Sequence, residues 1–305
     1  KRVLNRHVQP LMRAKPQIWF NRYQVQMSKD NNNFLSSMAT SSLARYKENS
    51  AILSEQELLD RVIDAQPAEP FMLNNQSFCL IAEIKKTSPS SGNLSRDDFH
   101  MTEQASDYIK GRADIISVLT EPSRFSGSLD DLKELSNAFP DVAFMRKDFL
   151  VHPYQVSEAL YCGASGVLLI AAILDEVQLE EMIKRALEHN MFVLIEAFNK
   201  KELEQSCAAV SRFSDSKDSL MLGINCRDLK SLEVDFGRFN KLSELLPEDI
   251  VCIAESGILN SNDVSKIVDW GYSGALVGTM LMQTNNPESA LIEFRKTAEE
   301  AQKQK

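Results

Sequence analysis

Acidic and basic side chains follow several apolar segments, where they could carry out proton chemistry. The stretch IAEIKKTSPSSG, residues 81–92, places Glu83 and Lys85 two positions apart. Successive side chains of an extended strand alternate faces, so these two share one face and Lys86 points to the other. Lysine, glutamate and asparagine move protons and stabilise oxyanions without a cofactor. Similar polar residues end other apolar runs: Thr120, Glu121, Arg146, Lys147, Glu196, Asn225, Arg227, Glu255 and Ser256.

The elements that must position these residues are strand and helix units repeated from residue 78 onward. Eight apolar, β-branched runs alternate with amphipathic segments, which predicts a parallel sheet. The runs cover 78–86, 113–121, 142–150, 166–174, 191–199, 219–228, 250–256 and 273–281. Helical patterns include 128–139, 175–190, 260–271 and 287–302, and several open on a Ser, Asp or Asn that can cap the first turn.

Eight such units predict an α/β fold of the (β/α)8 TIM barrel class. An open doubly wound sheet is the alternative, but it usually carries a GxGxxG turn after its first strand and none is present. In a barrel the polar strand ends converge at one face, where barrel enzymes assemble their active sites. Arg146, Glu121 and Lys86 are interpreted as mainly structural or solvated, because they flank or face away from the more inward candidates.

Three regions are expected along the chain. Residues 1–28 carry six Lys or Arg and no acid. They are interpreted as a basic tail, a targeting remnant or sequence upstream of a start at Met27, and these alternatives stay open. Residues 29–77 are expected to form a helical extension with linkers. One or two helices within 41–65 would pack across one end of the barrel. Residues 78–305 are the predicted catalytic barrel.

Composition narrows the function classes. The formal net charge of −9 argues against a nucleic-acid or membrane-surface partner. No apolar stretch reaches the roughly 18 residues that a membrane helix needs. Five cysteines and four histidines are scattered without metal-ligand spacing, so no zinc site or disulfide framework is predicted. Metal-free chemistry with no cofactor is expected, although magnesium held by carboxylates stays open.

The last two strand ends indicate a small phosphorylated substrate. The segments ESGI (255–258) and LVGTM (276–280) each place a glycine just past a strand. Bare backbone N–H groups at such positions can approach an anion, and barrel enzymes often hold phosphate at these loops. Gly257 and Gly278, with Ser256 and Thr279 beside them, are therefore candidate phosphate-binding residues. Plain turn glycines are the alternative interpretation.

The same stretches resemble the indole-3-glycerol-phosphate synthase family, barrel enzymes of tryptophan biosynthesis. Residues 81–92 resemble the family's first-strand signature of an acid, one residue, a lysine and then Ser-Pro-Ser. Similar motifs follow in unbroken order to about residue 290. They lie at 145–174 for strands three and four, 194–203 for strand five, 222–236 for strand six, and 253–258 with 275–282 for strands seven and eight.

The resemblance implies ring closure of 1-(2-carboxyphenylamino)-1-deoxyribulose 5-phosphate to indole-3-glycerol phosphate, with loss of carbon dioxide and water, by a carbon–carbon lyase. It implies that Lys147 is the general acid and that Lys85 holds the substrate carboxylate. Glu83 and Glu196 would handle further protons, Asn225 would orient sugar hydroxyls, and Glu255 would complete the polar floor. The implied substrate-binding residues are Ser88, Phe125, Phe149, Leu168, Arg227, Leu229, Ser256, Gly257, Gly278 and Thr279.

The sequence departs from the family pattern at Ser91, Arg124, Cys226 and Thr279. Two alternatives remain. One is a related phosphate-binding barrel, such as phosphoribosylanthranilate isomerase or a relative recruited to specialised indole metabolism. The other is a barrel that binds a metabolite or a partner subunit without turnover. A cytoplasmic location is expected, or a plastid or other organelle if residues 1–28 are a targeting remnant. Association with other enzymes of the pathway stays open.

Overall fold

The chain is described by a computed structural model that covers residues 34–63, 65, 67, 71–73, 77–89, 92–94, 99–228 and 231–304. The basic segment 1–28 and two residues named above, Ser91 and Leu229, lie outside this part of the chain.

Eight parallel strands close into a barrel, as the apolar runs predicted. In chain order they are β1 Cys79–Ile84, β2 Ile115–Leu119, β3 Phe144–Lys147, β4 Gly166–Ile170, β5 Phe192–Ala197, β6 Leu220–Asn225, β7 Val251–Glu255 and β8 Gly274–Val277. Each strand pairs with its sequence neighbours, and β1 pairs with β8 to close the ring. A short antiparallel pair, Thr87–Ser88 with Gly92–Asn93, follows β1. The fold is therefore the predicted TIM barrel.

Helices surround the barrel and connect its strands. They are α3 Met101–Lys110, α4 Pro122–Phe125, α5 Leu129–Ala138, α6 Pro153–Tyr161, α7 Glu176–Glu188, α8 Lys200–Ser211, α9 Gly237–Leu242, α10 Ser261–Asp269, α11 Thr279–Gln283 and α12 Pro287–Gln302, with 3-10 turns at Ala171–Ile173, Ser214–Ser219 and Ser243–Leu245. The predicted caps are confirmed, because the side chains of Ser128, Asp175 and Asn260 each accept a backbone N–H of the first turn. Among the described residues, no helix is both long and apolar enough to cross a membrane.

Alternation along the strands separates two apolar cores. Ile81 points into the barrel with Met145 and Leu194, whereas Ala82 and Ile84 pack outward beneath the helices. Glu83 is the next inward residue of β1. The barrel interior is therefore charged at its carboxyl end and apolar in the layers below. The two-residue period predicted from the sequence thus decides which side chains reach the barrel axis.

Two helices precede the barrel, α1 Phe34–Ile52 and α2 Glu55–Val62. The side chain of Ser54 accepts the Glu57 backbone N–H and so caps the start of α2. Helix α1 begins seven residues before the predicted segment and lies at the carboxyl end, where Phe34 and Met38 join the inner core. Phe71 packs on the ring of Phe192 at the opposite end, with 4.8 Å between ring centroids. The N-terminal extension therefore covers both ends of the barrel.

Candidate active site

One cavity of about 620 Å³ lies at the carboxyl ends of the strands. It collects every candidate site residue that the structure describes, although these residues come from all eight strands or the loops that follow them. They are Glu83, Lys85, Ser88, Phe125, Lys147, Phe149, Leu168, Glu196, Asn225, Arg227, Glu255, Ser256, Gly257, Gly278 and Thr279. The convergence predicted for the strand ends is confirmed.

Four inward residues from alternate strands form a charged layer across the barrel: Glu83 of β1, Lys147 of β3, Glu196 of β5 and Glu255 of β7. Lys147 Nζ lies 3.0 Å from Glu196 Oε2 and 3.2 Å from Glu255 Oε2. Side chains of odd and even strands form separate layers in TIM barrels, which brings these distant residues to one level. The Lys147 side chain is 15% exposed, whereas that of Glu255 is 1% exposed. The ammonium therefore faces the cavity and its partners lie beneath.

The charges around Lys147 determine which groups keep their protons. Burial alone would lower the pKa of Lys147, but Glu196, Glu255 and Glu83 together outweigh it and raise the pKa above its ordinary value. Burial also raises the pKa of Glu255 well above that of an ordinary glutamate, and the neighbouring Glu196 adds to the effect. Lys147 opposes this shift without cancelling it. The layer therefore offers an ammonium with a raised pKa beside a buried carboxyl whose own pKa is raised.

Glu83 and Lys85 form a second pair on the same side of the cavity. Lys85 Nζ lies 2.6 Å from Glu83 Oε1. Burial would raise the pKa of Glu83, but Lys85 and Lys147 outweigh it, so the pKa is lowered and the carboxylate stays ionised. Lys86 points away and binds Asp131 at 2.8 Å, as the alternation of faces predicted. Gly278 leaves room for the pair, since a Cβ there would lie 2.3 Å from Glu83 Oε1.

Aromatic and aliphatic side chains form one wall of the cavity. The rings of Phe125 and Phe149 lie 6.2 Å apart between centroids, and Leu168 of β4 continues this surface. Phe34 of α1 adds a ring that meets Phe149 edge-on at 6.0 Å. Sequence reasoning missed Phe34, because its helical surroundings gave no signal for where α1 would dock. Such a wall suits a flat apolar group such as an aromatic ring.

The rim after β7 has an unusual backbone. Ser256 and Gly257 both have φ of 71°, in the left-handed region where a non-glycine residue is uncommon. The thiol of Cys226 donates to the Ser256 carbonyl at 3.3 Å, which supports this turn. A Cβ at Gly257 would lie 3.0 Å from that same sulfur. Strained backbone of this kind clusters at functional sites.

Asn225 and Arg227 of the β6 end also line the cavity but are partly engaged with the protein. Asn225 Oδ1 accepts from the Arg227 N–H at 2.9 Å, which leaves its amide NH₂ for other partners. Arg227 Nη1 donates to the Leu232 carbonyl at 2.8 Å. These bonds fix the β6 end in place at the cavity edge.

The neighbouring charges interpreted as structural from the sequence do form a structural network. Arg146 is buried and binds Glu158 at 2.8 Å and Asp148 at 3.2 Å. Glu121 accepts from the Ser123 and Arg124 N–H groups and so caps α4. Asp148, which sequence reasoning did not select, also binds Arg45 of α1 at 2.6 Å. This network ties α1 to the strand end that carries Lys147. Among the residues that the structure describes, no three His, Cys, Asp or Glu side chains are grouped to hold a metal ion.

A closed (β/α)8 barrel with acid–base residues gathered at its carboxyl end defines a barrel enzyme. A model of the family described as "Indole-3-glycerol phosphate synthase" matches residues 37–294, and the chain belongs to that family. It is 36% identical to the indole-3-glycerol phosphate synthase of Mycolicibacterium smegmatis over 246 residues, which cover 80% of this chain and 87% of that one. It is 37% identical to indole-3-glycerol phosphate synthase 1 of Streptomyces coelicolor, with 81% and 89% covered.

Solved structures support the fold alone. The 3-hexulose-6-phosphate synthase of Salmonella typhimurium has a TM-score of 0.56 at 13% identity, with 73% of this chain and 99% of that chain covered. The thiamine phosphate pyrophosphorylase of Pyrococcus furiosus has a TM-score of 0.52 at 19% identity, with 74% and 98% covered.

Proposed function

We propose that this chain converts 1-(2-carboxyphenylamino)-1-deoxyribulose 5-phosphate to indole-3-glycerol phosphate, as a carbon–carbon lyase of tryptophan biosynthesis. The observation that carries the proposal is the position of Lys147. Its ammonium faces a cavity with an aromatic wall and is held from below by two buried carboxyls, at 3.0 and 3.2 Å. A general acid with these properties is what a carbonyl needs when an aryl carbon attacks it.

Lys147 would protonate the substrate carbonyl oxygen as the new carbon–carbon bond forms. Its raised pKa keeps the proton on the ammonium until an oxyanion develops. The substrate's ring would lie against Phe125 and Phe149, which would hold the aryl carbon facing the carbonyl. Holding two reacting atoms in one orientation removes much of the entropic barrier to bond formation.

Decarboxylation and dehydration would follow at the Glu83–Lys85 pair and at Glu196. Lys85 would hold the carboxylate that is lost as carbon dioxide, because its ammonium is the cation that faces the cavity beside Glu83. Glu83, kept ionised by that ammonium, and Glu196 would accept protons released near the anilino nitrogen and during loss of water. Asn225 would orient the sugar hydroxyls with its amide NH₂.

The substrate phosphate would bind where the loops after β7 and β8 border the cavity. Ser88, Ser256 and Thr279 supply hydroxyl groups there. Gly257 and Gly278 supply bare backbone, and their lack of side chains lets an anion approach N–H groups closely. The aromatic wall and these hydroxyl-bearing loops would orient the two ends of one elongated substrate.

The test uses the full chain with the carboxyphenylamino-deoxyribulose phosphate and follows indole fluorescence on ring closure. Lys147→Met keeps the side-chain length but removes the proton, so turnover should fall by about 10²–10⁴-fold. Lys86→Met is the matched control, because Lys86 faces away from the cavity, and it should keep wild-type turnover. Saturable substrate binding without fluorescence in the wild-type chain would contradict the proposed reaction.

A further inference from the structure

A glycine lies in the middle of β6, at an inward position where other strands place side chains. Gly223 pairs with Glu196 of β5 and with Ile253 of β7, and Asn225 continues the same inward face two residues later. Glycine weakens a strand interior, since it adds no packing and loses much backbone entropy. Its φ is not positive, so the backbone does not require glycine here. Another reason must account for the missing side chain.

The space that a side chain at 223 would fill is occupied by Glu255. An ideal Cβ on Gly223 would lie 2.0 Å from Glu255 Oε1 and 3.1 Å from Glu255 Cδ. The next nearest atom is Leu194 Cδ1 at 3.2 Å, so the close conflict involves the carboxyl alone. Gly223 therefore forms a recess in the barrel wall, and one oxygen of Glu255 sits in it.

The two oxygens of Glu255 have different surroundings. Oε2 receives Lys147 Nζ at 3.2 Å. Oε1 is buried, and no hydrogen-bond donor among the described residues reaches it. Lys147 and a hydrogen bond shared with Glu196 hold the carboxyl group, whereas the position of Oε1 depends on the shape of the recess. We propose that Gly223 is a positioning residue for the reaction, because the absence of its side chain fixes Glu255 beneath Lys147.

A side chain at position 223 would fill the recess and displace Glu255 Oε1. Ordinary contact with a new carbon begins at 3.4 Å, so Oε1 would have to move by about 1.4 Å. The group that must move is the end of a flexible side chain, so Gly223→Ala should fold. A displacement of about 1 Å in a catalytic arrangement can cost about 10²-fold in rate. We expect kcat to fall by about that factor with KM little changed, because the aromatic wall and the loops after β7 and β8 are untouched.

The strand glycine Gly166 provides a matched control with the opposite expectation. A Cβ there would lie 2.3 Å from ring carbons of Phe192, a rigid buried side chain remote from the charged layer. Gly166→Ala should therefore lower the melting temperature while kcat, measured well below it, stays near the wild-type value. Gly223→Ala should show the reverse, a lower kcat and a melting temperature close to that of the wild type.

A double-mutant cycle isolates the contact between the two residues. Glu255→Asp shortens the side chain by one methylene and withdraws the carboxyl from the recess. In that background, adding Gly223→Ala should change kcat by no more than about twofold, the scatter expected of independent changes. An undiminished loss of about 10²-fold in both backgrounds would overturn the proposal, because the glycine would then act through something other than Glu255.

This inference rests on the proposed function, and a crystal structure of each variant separates the two. If the wild-type chain shows no turnover, the proposed reaction fails, but the structures still decide the position of Glu255. A Gly223→Ala structure in which Lys147 Nζ and Glu255 Oε2 remain at 3.2 Å would overturn the positioning role. A displaced carboxyl with lost turnover would support both.

Discussion

Docking of α1 should control access to the cavity, and Arg45→Met tests this. Arg45 Nη2 binds Asp148 Oδ1 at 2.6 Å, and Asp148 lies between Lys147 and Phe149 in the chain. The same helix begins with Phe34, whose ring completes the aromatic wall. Removing the Arg45 guanidinium should therefore loosen a wall of the substrate cavity while the charged layer stays intact.

The free-energy cost of Arg45→Met follows from the hydrogen bonds that Asp148 retains. After loss of Arg45 it still binds Arg146 at 3.2 Å, the Thr120 hydroxyl at 3.0 Å and the Phe149 N–H at 2.8 Å. Its buried charge therefore remains satisfied. Arg45 Nη1 also lies 3.6 Å from Glu121 Oε1, but Glu121 keeps its bonds from the Ser123 and Arg124 N–H groups. The main loss is that of one hydrogen bond to a charged group, about 1.5–3 kcal/mol. A change of 2 kcal/mol corresponds to roughly 30-fold in the equilibrium between docked and undocked α1.

Hydrogen exchange measures this equilibrium without reference to turnover. Amide exchange within α1 should accelerate by roughly 30-fold in Arg45→Met if α1 opens as a local unit. KM should rise by at most the same factor, with kcat little changed because Lys147 keeps both carboxyl partners. Glu48→Gln changes an exposed residue of the same helix and should leave exchange and KM as they are. Unaltered protection of α1 in Arg45→Met would refute the reasoning.

Two further predictions concern protonation. Burial, reinforced by Arg185, lowers the pKa of His152 to about 3 and that of His189 to about 4. The unfolded chain therefore binds more protons below about pH 6.5, and stability should fall on acidification by up to about 1.4 kcal/mol per pH unit for each histidine. Urea unfolding at pH 7 and pH 5 measures this. His189→Gln should reduce the slope, and a pH-independent midpoint would contradict the expected linkage. Separately, Glu196→Gln removes the carboxylate that most raises the pKa of Lys147, so the alkaline limb of kcat/KM should move to lower pH; an unmoved limb would rule out Lys147 as the titrating acid.

The sequence predicted the barrel and most of the site because both depend on local patterns. The two-residue period placed Glu83 and Lys85 on one face, and the caps at Ser128, Asp175 and Asn260 located helix starts. The strands themselves are shorter than the apolar runs. Residues 171–173 and 279–281 belong to those runs but form a 3-10 turn and the start of α11, since a chain leaving a barrel must turn at once toward the outer layer.

What the sequence could not provide depends on contacts between distant segments. Phe34 enters the cavity because Arg45 and Asn49 bind Asp148 and Glu158, more than 100 residues away. The recess at Gly223 exists only relative to Glu255, which belongs to the next strand. In each case the residue type is ordinary. Its role depends on contact with a residue from another segment, which no local sequence pattern specifies.

The recess at Gly223 also helps to explain how the barrel interior accommodates several ionisable side chains. The site holds three carboxyl groups and two ammonium groups, those of Glu83, Glu196, Glu255, Lys85 and Lys147. Buried charges are costly unless they are balanced and hydrogen-bonded. Because Glu255 retains its proton to unusually high pH, the set is balanced when that carboxyl is neutral. A neutral carboxyl also tolerates an oxygen without a donor far better than a carboxylate would. The apolar recess at Gly223 and the raised pKa of Glu255 are therefore two aspects of one arrangement, in which burial of one carboxyl limits the net negative charge beneath Lys147.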